Sequence, residues 1–570
     1  MPRQIPQYLG PGIGAALRGC RTESDRPLGA HPPGCVTRRH FLGAAGACIA
    51  LRSRPAAAEA PAAADEAARI AAALPSSAPA APRRPRRLLI FDLNVGYGGH
   101  GSIRTANAAF ALMGQRTGAF EAEVHRDPAI FAAGSLAKFD AVFFNNTVGN
   151  LFEDPALRRS LAEFVYAGGG LMGVHGTSVA FTRWPGAHED WPEFGRMLGA
   201  RGASHLAQDE RASIAIEDPG HPLTAMFPAP GFERSDEFFR FGDPYSRHRV
   251  RVLLRIDAAR TPLPEGRKPF RADNDYAVAW IRRYGRGRVF YCSIAHDPRA
   301  FCDPELLRFY LAATQFALGD LPAPTTPSAF LTPAIRAHES LGWRAGIEAE
   351  DRVPTPLSDV IANARRLGAP FVGACIGQRI FADSPELLDQ SLGAASFERF
   401  RLMLDDAGAT LLTLRIPGPH GDAANWGDLF AMGRRLGAET LIADSMPNNL
   451  PALGALTASH DIRLAIACER PEGLLPALDG LDPRIGACAD FTRWAQLGID
   501  PVAATRALGS RLITVANRDT EMPPGPSDPS VLATIRDMRL TPTMFAFASA
   551  GSRAGIALFN THCERLLNRP

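Results

Sequence analysis

Along the second half of the chain, short apolar runs alternate with amphipathic stretches. Eight of the runs have strand length: 344–348, 371–376, 410–416, 440–444, 463–468, 485–490, 512–516 and 543–548. Segments such as 357–367 and 397–407 separate them and carry apolar residues at helical spacing. Eight strand–helix units predict a (β/α)8 TIM barrel; a doubly wound open sheet, the alternative, usually holds fewer strands. Two Ala/Pro-rich interruptions divide the chain. Residues 59–86 hold few large apolar side chains and read as a disordered tether, with room for one helix over 65–74. Leu321-Pro322-Ala323-Pro324-Thr325-Thr326-Pro327 marks a second break, so folded domains are expected over 87–321 and 335–570, joined by a Pro-rich linker over 322–334.

In the first half, the run Gly170-Leu171-Met172-Gly173-Val174 reads as a buried strand, and a helix-compatible segment follows it. Gly173-Val174-His175-Gly176-Thr177 at that junction has the layout of the nucleophile elbow of α/β hydrolases and amidotransferases. His175 holds the place of their Ser or Cys. An imidazole moves protons or binds a metal, but it is a poor acylating nucleophile beside a thiolate. Glutaminase chemistry is excluded on that ground. An elbow side chain is expected to be exposed to a crevice and to pack against few neighbours.

Further blocks extend the pattern: Leu88-Leu89-Ile90-Phe91, Gly96-Tyr97-Gly98-Gly99-His100-Gly101-Ser102, and Lys138 through Phe144 into Asn145-Asn146-Thr147. Downstream of His175 come Leu198-Gly199, His205, Asp218-Pro219-Gly220-His221-Pro222-Leu223-Thr224, Asp236-Glu237, and Ala279-Trp280 through Tyr291 to His296. In these blocks and their order, residues 87–321 resemble the ThuA-like (trehalose-utilisation) family. The resemblance implies an α/β open sheet of the flavodoxin-like, class I glutamine amidotransferase-like kind, with ligands at the carboxyl ends of its parallel strands. It also implies a crevice with His175, Asp236, Glu237, His205, His296 and His100 as catalytic candidates. Asn146, Thr147 and Trp184 are the substrate-binding candidates. Such a set suits acid–base work on a sugar, or a divalent metal. Simpler roles stand beside these: a turn residue for His100, and a helix N-cap plus a solvated acid for Asp236-Glu237. His221, before Pro222, reads as structural. Two positions depart from the family pattern: Ala295 stands for Gly, and Phe239 for Tyr, which removes a hydroxyl from the expected site.

The second half resembles the sugar phosphate isomerase/epimerase family with its xylose isomerase-like barrel. Ile361 to Ala369, Arg434 to Ile442, Asp482 to Asp490 and Gly498 to Ala504 carry the likeness. That family holds a divalent metal through carboxylates and His at the strand ends. Here the corresponding stretches are Asp444, Ala467-Cys468-Glu469, Asp490-Phe491-Thr492-Arg493-Trp494 and Ala516-Asn517-Arg518-Asp519, with no Glu near Met544. Only Asp444, Glu469 and Asp490 are left as weak metal candidates. The barrel is expected to be degenerate, structural or sugar-binding, and not to bind a divalent metal tightly.

Composition narrows the partners. A net charge of +3 over 570 residues gives no nucleic-acid signal. The nine Cys are scattered without a Cys-x-x-Cys pair, so neither a zinc site nor a dense disulfide frame is indicated. Within 1–58, Thr37-Arg38-Arg39-His40-Phe41-Leu42 resembles the twin-arginine export motif, and the apolar run that follows to Leu51 suits a signal sequence but is too short to span a bilayer. The expectation is a periplasmic or secreted protein with no stable membrane span after signal cleavage. Its ligand is expected to be a sugar: a disaccharide, glycoside or keto-sugar processed at the His-centred crevice. The alternatives are a non-catalytic carbohydrate-binding or assembly protein, and a sugar isomerase or epimerase with an altered site.

Overall fold

The computed structural model describes residues 59–183, 188–349, 355–418, 426–517, 528–548 and 552–567. The leader with Arg38-Arg39 lies outside the described residues, as do Trp184, Arg518 and Asp519.

The strand β1 (Arg87–Phe91) sends Leu89 and Phe91 into one core and Leu88 and Ile90 into another. Successive side chains alternate across a strand, so a sheet covered on both faces requires unbroken apolar runs. β2 (Glu121–His125) lies at the sheet edge and is mostly polar, whereas β3 (Ala141–Asn145) and β4 (Gly170–Val174) are buried throughout. The helices Ile103–Thr117 and Pro304–Leu318 cover one face, and Pro155–Tyr166 the other. β5 (Glu210–Ile216), β6 (Gly231–Asp236), β7 (Arg251–Ile256), β8 (Ala277–Tyr284) and β9 (Gly287–Cys292) complete nine strands in the order β2-β1-β3-β4-β9-β8-β7-β5-β6. The first five are parallel and the rest antiparallel. The parallel part has the flavodoxin-like order, with loops clustered beyond the carboxyl ends of β1, β3, β4 and β9.

The second half closes into an eight-stranded parallel barrel: β10 (Ala345–Glu348), β11 (Phe371–Cys375), β12 (Thr410–Ile416), β13 (Thr440–Ala443), β14 (Arg463–Cys468), β15 (Ile485–Asp490), β16 (Leu512–Asn517) and β17 (Phe545–Ala548). Closure is made by β10 pairing with β17. Each strand coincides with an expected run to within two residues.

Residues 59–86 differ from the expected tether. Glu59–Ala73 is a helix whose Ile70 and Ala73, with Leu74, enter the sheet's core. Beyond it, Gln315 exchanges hydrogen bonds with the backbone of Ala80, and Arg86 pairs with Asp320 at 2.6 Å. Small Ala side chains allow close packing, and two polar anchors satisfy the backbone that follows. The Pro-rich linker is likewise fixed, with the Ser328 and Ala329 amides bound to the carbonyls of Val250 and Arg247.

The barrel meets the sheet domain through residues that precede or begin its strands. One apolar cluster runs from Val142 and Tyr166 into Phe397 and Leu404. Around it, Arg401 pairs with Glu193 at 2.8 Å, Arg283 with Glu439 at 2.9 Å and Arg251 with Glu339 at 2.6 Å. Asp405 accepts from both Arg249 and Arg282. Removing one member of such a buried set leaves charges unpaired, at a cost of roughly 3–5 kcal/mol. Asp405→Ala is therefore expected to lower the urea midpoint and to separate barrel unfolding from sheet unfolding. An unchanged single transition would show that this network does not couple the two halves.

Candidate active site

β4 ends at Val174, and His175 opens a short 3-10 turn, His175–Val179, with φ +40°. A left-handed backbone at a residue with a Cβ costs on the order of 1–3 kcal/mol and persists only when its surroundings hold it. Here the Tyr291 hydroxyl donates to the His175 carbonyl at 2.7 Å, Ser178 Oγ donates to it at 3.1 Å, and Asn146 Oδ1 accepts the Gly176 amide at 3.3 Å. Gly176 is required by packing, since a Cβ there would lie 2.8 Å from His100 Cε1.

His175 is fully buried, which corrects the expectation of an exposed elbow. Residues from two later loops enclose the ring. Its centroid lies 4.8 Å from those of His100 and Phe239, and 5.1 Å from that of His296. Glu237 completes the group: Oε2 lies 3.0 Å from His175 Nε2, and Oε1 lies 3.2 Å from Nδ1 of the half-exposed His205. Phe239 touches the rings of both His175 and His205, so the position that lacks a hydroxyl faces the site. Tyr97 lies tilted against His100, with ring centroids 5.0 Å apart, on the exposed rim.

The other candidates frame this group. Asp236 is buried behind it, accepting the backbone amides of Glu237, His296 and Asp297 through Oδ1 while Oδ2 has no partner. It positions the two loops and does not join the cluster. Asn146 and Thr147, expected to touch substrate, are fully buried; Asn146 holds the turn, and Thr147 approaches Thr177. Neither side chain reaches an open surface in this structure. Tyr291, which pins the elbow, was missed by sequence reasoning: a Tyr in an apolar strand reads as core until its hydroxyl finds a partner. His221 is structural, with Nε2 3.0 Å from the Pro324 carbonyl.

Burial sets the electrostatics. It drives His100 down to about 3, reinforced by His175 and His296, and it also lowers His175. Burial alone would raise Glu237, but the neighbouring imidazoles, His175 first, outweigh it and hold the carboxylate ionised. Asp236, buried with less compensation, is pushed up to about 7. Two imidazoles kept neutral by burial, those of His100 and His175, thus stand beside an ionised carboxylate, and neutral imidazole is the form in which histidine binds metals.

The donor set fits a cation. One candidate ligand atom each from His100, His175, Glu237 and His296 lies within 4.8 Å of the others, the one such group among the described residues. Nδ1 of His175 and Nδ1 of His100 are buried without a hydrogen-bond partner, while His175 Nε2 faces Glu237 Oε2. An ion held by these four residues would draw the donors closer together, and expansion beyond four-coordination would leave a position for a substrate oxygen. The barrel candidates do not assemble in this way. Asp444 is bound by Arg415 at 2.6 Å, and the same guanidinium reaches Glu348 at 3.2 Å. Glu469 pairs with Arg493, and Asp490 caps the next helix through the Arg493 amide. A fixed guanidinium supplies positive charge within the strand-end mouth.

The fold and site define an open-sheet α/β domain with a buried His/Glu centre, joined to a TIM barrel. Residues 87–317 match the family ThuA, described as trehalose utilisation, so this part of the chain is a ThuA domain. Among solved structures, a ThuA-like protein from Bacteroides uniformis is 18% identical, covering 42% of this chain and 92% of its own, with a TM-score of 0.34. A sugar phosphate isomerase/epimerase from Parabacteroides distasonis is 13% identical (40% and 93% covered, TM-score 0.29). A D-psicose 3-epimerase solved with D-fructose is 14% identical (40% and 97% covered, TM-score 0.29). No curated protein matches the chain. No helix among the described residues is long and apolar enough to cross a membrane.

Neutral buried histidines make stability depend on pH. His221 and His338 are both lowered to about 4 by burial, and His100 further. Below pH 6.5 the unfolded chain takes up protons that the folded chain refuses, so stability present above 6.5 is lost as pH falls toward 4. Asp236, raised to about 7, acts in the opposite sense but carries one proton against four, since burial lowers His175 as well. Urea unfolding of metal-free protein at pH 7, 6 and 5 should show a steady decline, roughly 1.4 kcal/mol per pH unit for each uncompensated proton. A flat profile would mean that these rings are protonated in the folded state.

Proposed function

We propose that this chain is an exported carbohydrate-processing protein acting on a disaccharide, glycoside or keto-sugar at the centre formed by His100, His175, Glu237 and His296. The observation that carries this reading is the convergence of one ligand atom each from His100, His175, Glu237 and His296 within 4.8 Å, with Nδ1 of His100 and Nδ1 of His175 buried without partners beside an ionised carboxylate. Buried polar groups without partners are costly, and native proteins retain them chiefly where a ligand or a reaction uses them.

A divalent cation at these donors would polarise a sugar carbonyl or hydroxyl oxygen. The chain's own groups divide the remaining work. Glu237 accepts a proton from the substrate, and His205, half exposed and 3.2 Å from Oε1, relays it to solvent. Asp236 keeps the loops bearing Glu237 and His296 in register. Phe239 supplies an apolar wall on which a sugar ring can rest. Within this reading the barrel is a scaffold, since Arg415 engages Glu348 and Asp444 together. That ion-paired mouth also favours the second reading, a non-catalytic carbohydrate-binding or assembly protein.

The test combines metal analysis with turnover on trehalose, sucrose, lactose and their 3-keto forms. Protein reconstituted with Zn, Mn or Co should retain one equivalent and lose it in Glu237→Gln. His175→Gln, with folding checked by circular dichroism, removes a ring that holds both the cation and Glu237, the proposed base, and should lower turnover by roughly 10²–10⁴-fold, the usual worth of acid–base catalysis. Wild-type turnover in a folded His175→Gln variant would give the binding-protein reading the lead. Turnover without bound metal would leave acid–base chemistry alone at the centre.

Export through the twin-arginine route is proposed on Arg38-Arg39 before the apolar run Phe41 to Leu51. Replacing both arginines by Lys should trap the precursor in the cytoplasm. Undiminished periplasmic yield would exclude that route.

A further inference from the structure

A cavity of about 410 Å³ lies between the sheet domain and the strand-start end of the barrel, at the end of β9 opposite to the one that leads to His296. Arg83, Arg283, Arg286, Arg288, Arg463 and Arg484 line it, against two carboxylates, Glu439 and Asp461. The lining therefore carries a formal excess of four positive charges.

The two acids are already engaged. Glu439 lies 2.9 Å from Arg283 through Oε1 and 2.8 Å from Arg344 through Oε2. Asp461 lies 3.0 Å from Arg286. Arg484 reaches Asp482 at 3.3 Å, outside the lining. Arg288 donates only to carbonyls, those of Ala317 and Gly168. Arg463, half-buried at the first position of β14, has no carboxylate partner among the described residues. Burial, followed by neighbouring guanidinia, pushes Arg288 down to about 9 and lowers Arg463. A guanidinium does not readily give up its proton. Crowding of this kind is relieved by taking up a counter-charge.

We propose that this cavity is a binding site for a small multivalent oxyanion, with phosphate monoesters as the fitting class, held jointly by the two halves of the chain. Arginine's planar fork matches the geometry of a phosphate oxygen pair, and several forks converging on one space suit a dianion better than a monoanion. The volume accommodates a phosphate with a sugar-sized substituent. The site lies at the amino-terminal ends of the barrel strands, a face associated with stability, whereas barrel chemistry belongs to the opposite end. The bound anion therefore acts as a clamp between domains and not as the substrate. This proposal is independent of the chemistry at His175.

The experiment uses the full mature chain, titrated calorimetrically and followed by thermal unfolding at constant ionic strength. The probes are pyrophosphate, inorganic phosphate and glucose 6-phosphate, with chloride as the reference. One saturable site per chain and a raised Tm are expected, with pyrophosphate and glucose 6-phosphate each distinguishing a polyphosphate from a phosphate ester as the preferred form. R463Q should weaken binding at least tenfold. It should also leave the anion-free protein as stable as wild type or more so, because it removes repulsion and no bonded partner. A merely structural arginine would instead destabilise the protein when replaced. R288Q provides a second variant, and the exposed Arg159→Gln is the control expected to bind normally. Absence of saturable binding, equal binding by R463Q, or a Tm rise that chloride reproduces would each overturn the proposal.

Discussion

The turn after β4 is the constraint on which the site depends. A strand covered by helices on both faces is rigid, and its end delivers His175 to a fixed point in the core. The left-handed backbone there turns the chain abruptly, while the hydroxyls of Tyr291 and Ser178 and the amide of Asn146 hold it. With that turn fixed and Gly176 lacking a Cβ, His100 can approach from the loop after β1. His296 and Glu237 then arrive from loops ordered by a single buried carboxylate, Asp236. Groups distant in sequence thus share one small volume because neighbouring backbones are satisfied first.

Burial has opposite uses in the two halves. In the sheet domain it keeps imidazoles uncharged beside an ionised Glu237, a poised state with open coordination or proton-transfer capacity. In the barrel mouth, charge is neutralised internally by Arg415 between Glu348 and Asp444. The barrel retains its strands and their closure, and it applies its strand-start end to the sheet domain. A barrel is useful in that role because its frame does not depend on what occupies its mouth. The interface combines an apolar cluster with buried ion pairs such as Asp405 with Arg249 and Arg282, so the geometry of docking is set by both shape and charge.

The two-part architecture is legible in the amino-acid pattern alone. Apolar runs of strand length, spaced by helical stretches, gave the eight barrel strands nearly to the residue, because burial on both faces leaves a pattern that local composition can carry. The Gly-rich elbow likewise singled out His175, and the likeness to the ThuA family placed His100, Glu237 and His296 with it in one expected crevice. Which of the candidates meet became visible in the folded chain, and there it departs from the pattern. The tertiary structure buried His175, moved Asp236, Asn146 and Thr147 into supporting positions, and gave Tyr291 a role that an apolar strand conceals. It also converted the Ala/Pro-rich stretch 59–86 from a tether into a packed segment, because Gln315 and Asp320, more than two hundred residues away, supply the missing partners. Periodicity records which face of an element is buried; the partner of a polar group is set by where the chain returns, and that is a property of the whole fold.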